Sequence, residues 1–337
     1  MNWRTTILLG PCLVLLGCRK DIGPDAPLVD TPYELDVPNG FPEPPLRGDN
    51  PLTVASVALG KALFFERRLS RNGTISCGSC HIPSSAFSDT VALSLGVDHL
   101  PGLRNSPPLT NLAYHTSFFK DGGVPDLELQ VLAPIHDELE MDHDILAAAA
   151  VLSDEQPYRT LSQRAYGREL DAFVITRAIA NYERTLLSGW SRYDRYLQGD
   201  GDALSSAEVN GMNLFFSPEV ACGECHSGHD LSDHSFQNVG QYLEYEDPGR
   251  QRITLSEADA GKFKVPTLRN VTLTAPYMHD GSMADLGEVV DHFLSGGLPH
   301  PNRSVLMQEV QLTTEERSDL IAFLAALEDE GPIDRTP

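Results

Sequence analysis

Positive charge is scarce in this chain. Its Lys and Arg number 25 against 48 Asp and Glu, for a net charge of -23. A surface this acidic repels phosphate, which excludes nucleic acid as a partner. No apolar run reaches the roughly 18 residues from which a membrane-spanning helix is read. Tryptophan occurs only twice, at Trp3 and Trp190. Cysteine is also sparse, with six in 337 residues, and none is left for a disulfide once the motifs below have taken theirs. Strand-like alternation is almost missing. What the chain does have is turn formers, 24 Pro and 27 Gly, enough for many loops but not for a disordered composition. Its length predicts about two domains at ~150 residues each, and each is long enough to bury a core.

The N-terminus reads as a leader. Arg4 supplies a positive start, and Thr5 to Leu16 form an apolar stretch too short to span a bilayer. Leu15, Leu16, Gly17 and Cys18 then resemble a bacterial lipobox, in which the cysteine becomes the first mature residue and carries lipid. An ordinary cleaved signal is the alternative. Lipidation of Cys18 would tether an otherwise soluble body to a membrane. Arg19 and Lys20 follow with no Asp at the second mature position, which by the same resemblance favours the outer membrane of a Gram-negative cell. The expected location is the periplasm, with membrane contact only through the anchor. Residues 19–48, rich in Pro and Asp, read as a tether and an arm along the surface.

Cys12 leaves with the leader. The remaining four cysteines lie in Cys77-Gly78-Ser79-Cys80-His81 and Cys222-Gly223-Glu224-Cys225-His226. Each Cys-x-x-Cys-His is a c-type haem attachment signature. Two thiols add to the vinyl groups on one edge of the porphyrin, and the adjacent imidazole ligates iron from the proximal side. A zinc site would need two further ligands beside each pair, and no matching cysteine exists. A redox Cys-x-x-Cys would not need the histidine. The sequence therefore predicts two covalent haem c groups, held by Cys77, Cys80 and His81 and by Cys222, Cys225 and His226.

The chain also repeats itself. Gly60 to Phe65 precedes the first motif as Gly211 to Phe216 precedes the second. Asn111 precedes Asp121-Gly122 by ten residues, and Asn270 precedes Asp280-Gly281 by ten. The expected fold is mainly α, two cytochrome c-like haem domains with long loops, related by internal duplication. The first spans 49–200 and the second 201–337. The boundary is placed at Gly199 to Asp202. Helical spacing predicts an apolar face of Val54, Val57, Ala58, Ala62 and Phe65, and another of Ile175, Ile179, Tyr182 and Leu186. A capping box from Thr313 to Glu316 opens a helix with Leu320, Phe323, Leu324 and Leu327 on one side. Turn-rich stretches at 84–111 and 228–264 are expected to wrap the cofactors.

With these motifs in this order, the chain resembles the bacterial di-haem cytochrome c peroxidase family, which includes the methylamine dehydrogenase maturation enzyme MauG. The likeness covers about residues 49–330. It rests on Leu59-Gly60-Lys61, Leu69-Ser70, Arg104 to Pro107, Glu183 to Leu186, Ser191 with Tyr193-Asp194, Phe263 to Asn270 and Thr274 to Gly281. The resemblance implies that the haem on His81 is the reactive one, with an open distal face, and that the haem on His226 stores or relays an electron. A Gln and an acidic residue ten positions later line the family's distal pocket, and Gln130 and Glu140 match them. The chemistry itself asks for such a pair. Cleaving HOOH moves a proton from the near oxygen to the departing one, which a carboxylate can carry, while an amide holds the peroxide. The resemblance also implies a calcium ion between the domains, on the Asn105 side chain and the carbonyls of Thr274 and Pro276. Oxygen donors suit that hard cation. Family members often form homodimers.

Three positions depart from the pattern. The family's sixth ligand to the second iron, Met in the peroxidases and Tyr in MauG, falls fourteen residues after His279, at Phe293, which cannot bind iron. His292, His300 and Met307 are the neighbours it would have to recruit; otherwise that iron is five-coordinate. Next, the family's inter-haem Trp is replaced in Phe118-Phe119-Lys120-Asp121-Gly122, leaving Phe119 to bridge by packing, while Trp190 reads as a surface or wall residue. Finally, the removable distal histidine of reductively activated peroxidases falls at Val97, with His99 two residues on. Either His99 serves through a shifted loop or the first haem is permanently open, and the open state is favoured.

The leading functional expectation is reduction of H2O2 to water at the His81 haem. Electrons would come from a small c-type cytochrome or cupredoxin through the His226 haem, the acidic surface steering a basic donor. The alternative is a MauG-like enzyme that spends peroxide oxidising power on a partner protein's side chain such as Trp. A passive di-haem electron carrier is the third reading.

Overall fold

The computed structural model describes residues 30–337. The expected leader, Trp3, Cys12, Cys18 and the start of the tether lie outside the described residues. The helices are α1 (Val54–Phe64), α2 (Cys77–Cys80), α3 (Leu127–Gln130), α4 (Leu132–His136), α5 (Ile145–Leu152), α6 (Tyr158–Tyr166), α7 (Ala172–Arg184), α8 (Arg192–Leu197), α9 (Ser206–Phe215), α10 (Gln251–Thr254), α11 (Leu286–Leu294) and α12 (Thr314–Ala325). Among the described residues the one sheet is a pair of two-residue strands, β1 (Phe236–Gln237) antiparallel to β2 (Phe263–Lys264). The mainly α expectation is met.

Local chemistry starts the main helices. Thr53 and Ser56 cap each other's backbone at α1, Ser205 and Glu208 do so at α9, and Thr313 and Glu316 at α12. Each such box satisfies two N–H groups that the first turn would otherwise leave unpaired. Asp171 caps α7 by accepting from Val174 N–H.

Two apolar clusters form. The first gathers Leu59, Leu63, Phe64, Ile175, Ile179, Tyr182 and Leu186 around the α1–α7 pair. The second gathers Tyr193, Phe215, Leu320, Phe323, Leu324 and Leu327 around the α9–α12 pair. The faces expected on α7 and α12 are the buried ones. The face expected on α1 is met only in part: Val57 is buried and Ala62 half-buried, but Val54, Ala58 and Phe65 are exposed, while Ala55, Leu59, Gly60, Leu63 and Phe64 are buried. The reason is Gly60. A Cβ there would overlap the carbonyl oxygen of Ala178 and come within 2.8 Å of Tyr182 Cβ. The close approach of α7 thus sets the orientation of α1, and apolar spacing is overridden. Gly211 stands in the same relation to the Asp319 carbonyl and to Phe323 Cβ. Beside these contacts Phe64 meets Tyr182, and Phe215 meets Phe323, each edge-on at 5.2 Å.

The arm is packed down, not loose. Tyr33 N–H donates to Leu52 O, Phe41 lies edge-on to His229 and under the Arg269 guanidinium, and Tyr114 Oη donates to Pro42 O.

Gly60→Ala should lower the stability of the holoprotein by ~1–3 kcal/mol through overpacking. Gly201→Ala, whose Cβ would meet nothing within 4 Å, should leave it near wild type. Paired thermal melts check both.

Candidate active site

The two pentapeptides fold alike. In the first, α2 turns so that His81 N–H donates to Cys77 O at 2.9 Å. Ala86 and Phe87 both take left-handed backbone, φ 52° and 58°, which brings the Phe87 carbonyl back to His81 Nδ1 at 2.8 Å. In the second, His226 N–H donates to Cys222 O at 2.9 Å, and left-handed Leu231, φ 48°, places its carbonyl 3.0 Å from His226 Nδ1. A carbonyl only accepts, so both Nδ1 atoms carry the proton and both Nε2 atoms present a lone pair. That is the tautomer a metal-bound imidazole needs. All four motif cysteines are half-buried and none is in a disulfide. The ring of Phe65 covers Gly78 and that of Phe216 covers Gly223 so closely that neither glycine has room for a Cβ. Free thiols beside an imidazole with a presented lone pair, twice over, fit two covalent haems.

Glu140 follows α4 in a turn closed by its N–H to Asp137 O, and its carbonyl accepts from Val97 N–H at 2.9 Å. The residue is exposed in the polypeptide. Desolvation first, and then the carboxylate of Asp137, push its pKa up to about 7. Its charge bears on both Cys77 and Cys80, so the carboxyl shares their neighbourhood. Gln130 ends α3, half-buried. Val97 is buried, and His99 is exposed in a turn that its N–H closes on Gly96 O.

Sequence reasoning passed over Glu183, although it lies in a quoted string. It is buried on α7, its Oε2 has no partner, and desolvation pushes it up to about 8. The neighbouring Arg184 is taken by Glu128 in a two-pronged pair at 2.8 and 2.9 Å. Glu183 bears on Cys77 more than Glu140 does. Its burial and its missing partner emerge only in the fold.

Phe119 has left-handed backbone, φ 65°, in a turn on the seam between the halves. Next to it, Lys120 Nζ donates to Met278 O, and Lys120 O accepts from Lys264 N–H at 2.7 Å. Lys120 is held down to about 8 by burial and then by Arg104. Trp190 stacks under the Arg335 guanidinium at 3.5 Å, away from that turn in sequence and half-buried. Asn105 is buried, its N–H donates to His279 O, and its amide nitrogen is spent on Val91 O and Ala92 O. Around the second haem motif, Phe293 on α11 offers no ligand atom. His292 Nε2 is held 2.9 Å from Val239 O, His300 Nδ1 accepts from Asn302 N–H, and Met307 is buried.

This pairing of two haem-attachment turns with helix pairs and long loops defines a di-haem c-type cytochrome, and comparison with known proteins assigns its family. A family model described as di-haem cytochrome c peroxidase matches residues 54–202. The chain is 38% identical to the methylamine utilization protein MauG of Methylorubrum extorquens, across 87% of this chain and 83% of that protein. It is 35% identical to a cytochrome c551 peroxidase of Nitrosomonas europaea, across 88% and 86%. Among solved structures, a MauG-like protein associated with microbial copper homeostasis superposes with a TM-score of 0.85 at 33% identity, covering 90% of this chain and 99% of that one. The chain belongs to the di-haem cytochrome c peroxidase and MauG family, and it is an oxidoreductase carrying haem c.

Pyridine haemochrome assay of the purified protein should count two haems per chain. Replacing Cys222 and Cys225 together by Ala should leave one, and a count of two in that variant would contradict the assignment of the second turn.

Proposed function

We propose that the chain reduces H2O2 to water at the haem held by Cys77, Cys80 and His81, with Glu140 as the proton carrier and Gln130 as the group that holds the peroxide. The haem supplies an iron that binds peroxide and takes up its oxidising equivalents. The observation that carries this reading is the Glu140 carboxyl, poised near neutral pH beside the first pair of thiols. A group of that pKa takes a proton and returns it at little cost in either direction. The buried Val97 and the outward His99 support a first haem open to peroxide without prior reduction. Each turnover consumes two electrons and two protons. The electrons would arrive from a small c-type cytochrome or cupredoxin through the haem of Cys222, Cys225 and His226, with the turn of Phe119 packed between.

A second reading stands beside the first. Phe293 stands where the ordinary peroxidases have Met and MauG has Tyr, and His292 Nε2 faces a carbonyl. The missing Met counts against an ordinary peroxidase and the missing Tyr equally against a close MauG, so the second reading, a MauG-like enzyme that draws its electrons from a side chain of a partner protein, rests on the similarity to MauG.

Supporting features extend the proposal. The two units, 49–200 and 201–337, derive from one duplicated haem domain. In support, left-handed Asn111 and Asn270 receive Ser188 N–H and Asp329 N–H on their side-chain oxygens at 2.9 and 2.8 Å. Their own N–H groups donate to Leu186 O and Leu327 O. The packing changes over between Leu186 and Tyr193, ahead of Gly199. A calcium ion would sit on Asn105 Oδ1 and the carbonyls of Thr274 and Pro276, neither of which accepts a hydrogen bond among the described residues. We place the protein in the periplasm, anchored through lipid on Cys18.

Glu140 must be ionised to take the proton, and its pKa is raised, so it is protonated below about 7. Peroxide consumption by the holoprotein should therefore rise with pH through that value. Glu140→Gln should lower it by ~100-fold or more and flatten the profile. A variant as fast as wild type would remove Glu140 from the mechanism. With reduced cytochrome c as donor, steady turnover supports the first reading. Its failure, together with added oxygen mass on a partner, supports the second.

A further inference from the structure

We propose that His115, Asp230 and His234 form a binding site for one divalent ion of borderline softness, zinc(II) or copper(II), at the seam between the two halves. His115 follows the Asn111 turn of the first half. Asp230 and His234 flank the Leu231 carbonyl that orients His226 in the second. The Asp230 side chain is fully buried. His115 Nε2 lies 3.2 Å, and His234 Nε2 3.4 Å, from the same oxygen, Asp230 Oδ2. One donor atom from each of the three residues lies within 4.8 Å of the other two. Bonds of the length zinc makes to His and Asp place neighbouring tetrahedral donors about 3.3 Å apart. Both measured edges match that spacing.

The surrounding hydrogen bonds orient Asp230 and His234 for a cation. Asn111 Nδ2 donates to Asp230 Oδ1 at 2.9 Å, which leaves Oδ2 as the oxygen on which both imidazoles converge. Ser232 Oγ gives its only proton to Val265 O at 2.7 Å, so toward His234 Nδ1, 3.5 Å away, it can only accept. That assigns the His234 proton to Nδ1 and turns the Nε2 lone pair toward the carboxylate. Two lone-pair atoms facing each other at a buried site call for a positive charge between them. Lys264 Nζ donates to His115 Nδ1 at 3.3 Å, which leaves the His115 proton on Nε2 toward Asp230 Oδ2, so an ion bound there displaces that proton. Two imidazoles and a carboxylate suit zinc or copper better than a hard cation such as calcium. A bound ion would tie the Asn111 turn to the loop beneath the second haem.

The test uses the untagged holoprotein after chelator dialysis. Titration with zinc sulfate, followed by calorimetry and metal analysis, should show one saturable equivalent. His115→Ala and His234→Ala should each weaken it by at least about tenfold, with the haem Soret band unchanged. Because a variant could fail to fold, zinc K-edge absorption on the wild-type protein provides an independent readout. It should find imidazole scattering from two histidines. No saturable equivalent, or an equivalent kept at full affinity in both variants, overturns the site, as does an absorption spectrum without imidazole.

Discussion

The structure depends on one contact made twice: an imidazole Nδ1–H held by a backbone carbonyl. At His81 the carbonyl is that of Phe87, and at His226 that of Leu231. Each bond fixes the tautomer and aims Nε2 to where iron must lie. Each also requires left-handed backbone at the residue that supplies the carbonyl, a strained conformation for Phe or Leu that the surrounding packing must hold. The buried α1–α7 and α9–α12 pairs provide that rigidity, because Gly60 and Gly211 let their helices approach closely enough to leave no slack.

Titratable surroundings separate the two haem-attachment turns. The first has a carboxyl, Glu140, raised by desolvation beside its thiols, and a second buried carboxyl, Glu183, with a free oxygen. The second unit is bordered by α11, where Phe293 offers nothing to a metal and His292 is occupied. Both of these carboxyls with raised pKa values, Glu140 and Glu183, thus lie in the first unit. At the seam between the units, Lys120 O accepts from Lys264 N–H and Lys120 Nζ donates to Met278 O. The same seam carries the Arg104, Asp121 and Asp247 network, with Arg104 donating to Asp121 at 2.8 Å and, through its Nη2, to Asp247 at 2.8 Å. A network of this kind is strong only while every member is paired, so it resists separation of the halves.

Much of this was legible in the sequence. The two pentapeptides announced their chemistry because thioether attachment dictates an unbroken five-residue spacing. The faces of α7 and α12 followed from apolar periodicity, since both helices bury a broad stripe. The face of α1 followed only in part, because glycine has no hydropathy to signal that a backbone will press against it. Glu140 was found through the family resemblance, which sets an acidic residue ten positions after a Gln, but its raised pKa depends on burial that only the fold creates. His115 and Asp230 are separated by more than a hundred residues, and no local pattern joins them. The unsatisfied oxygen of Glu183 is likewise a property of burial, which a single string of letters does not record.

The most direct test of the account is electron paramagnetic resonance of the fully oxidised holoprotein before and after one equivalent of H2O2. An open haem on His81 gives a high-spin ferric signal that is lost on adding peroxide and persists in Glu140→Gln. Two low-spin signals that ignore peroxide would mean both irons are capped, and would contradict the account.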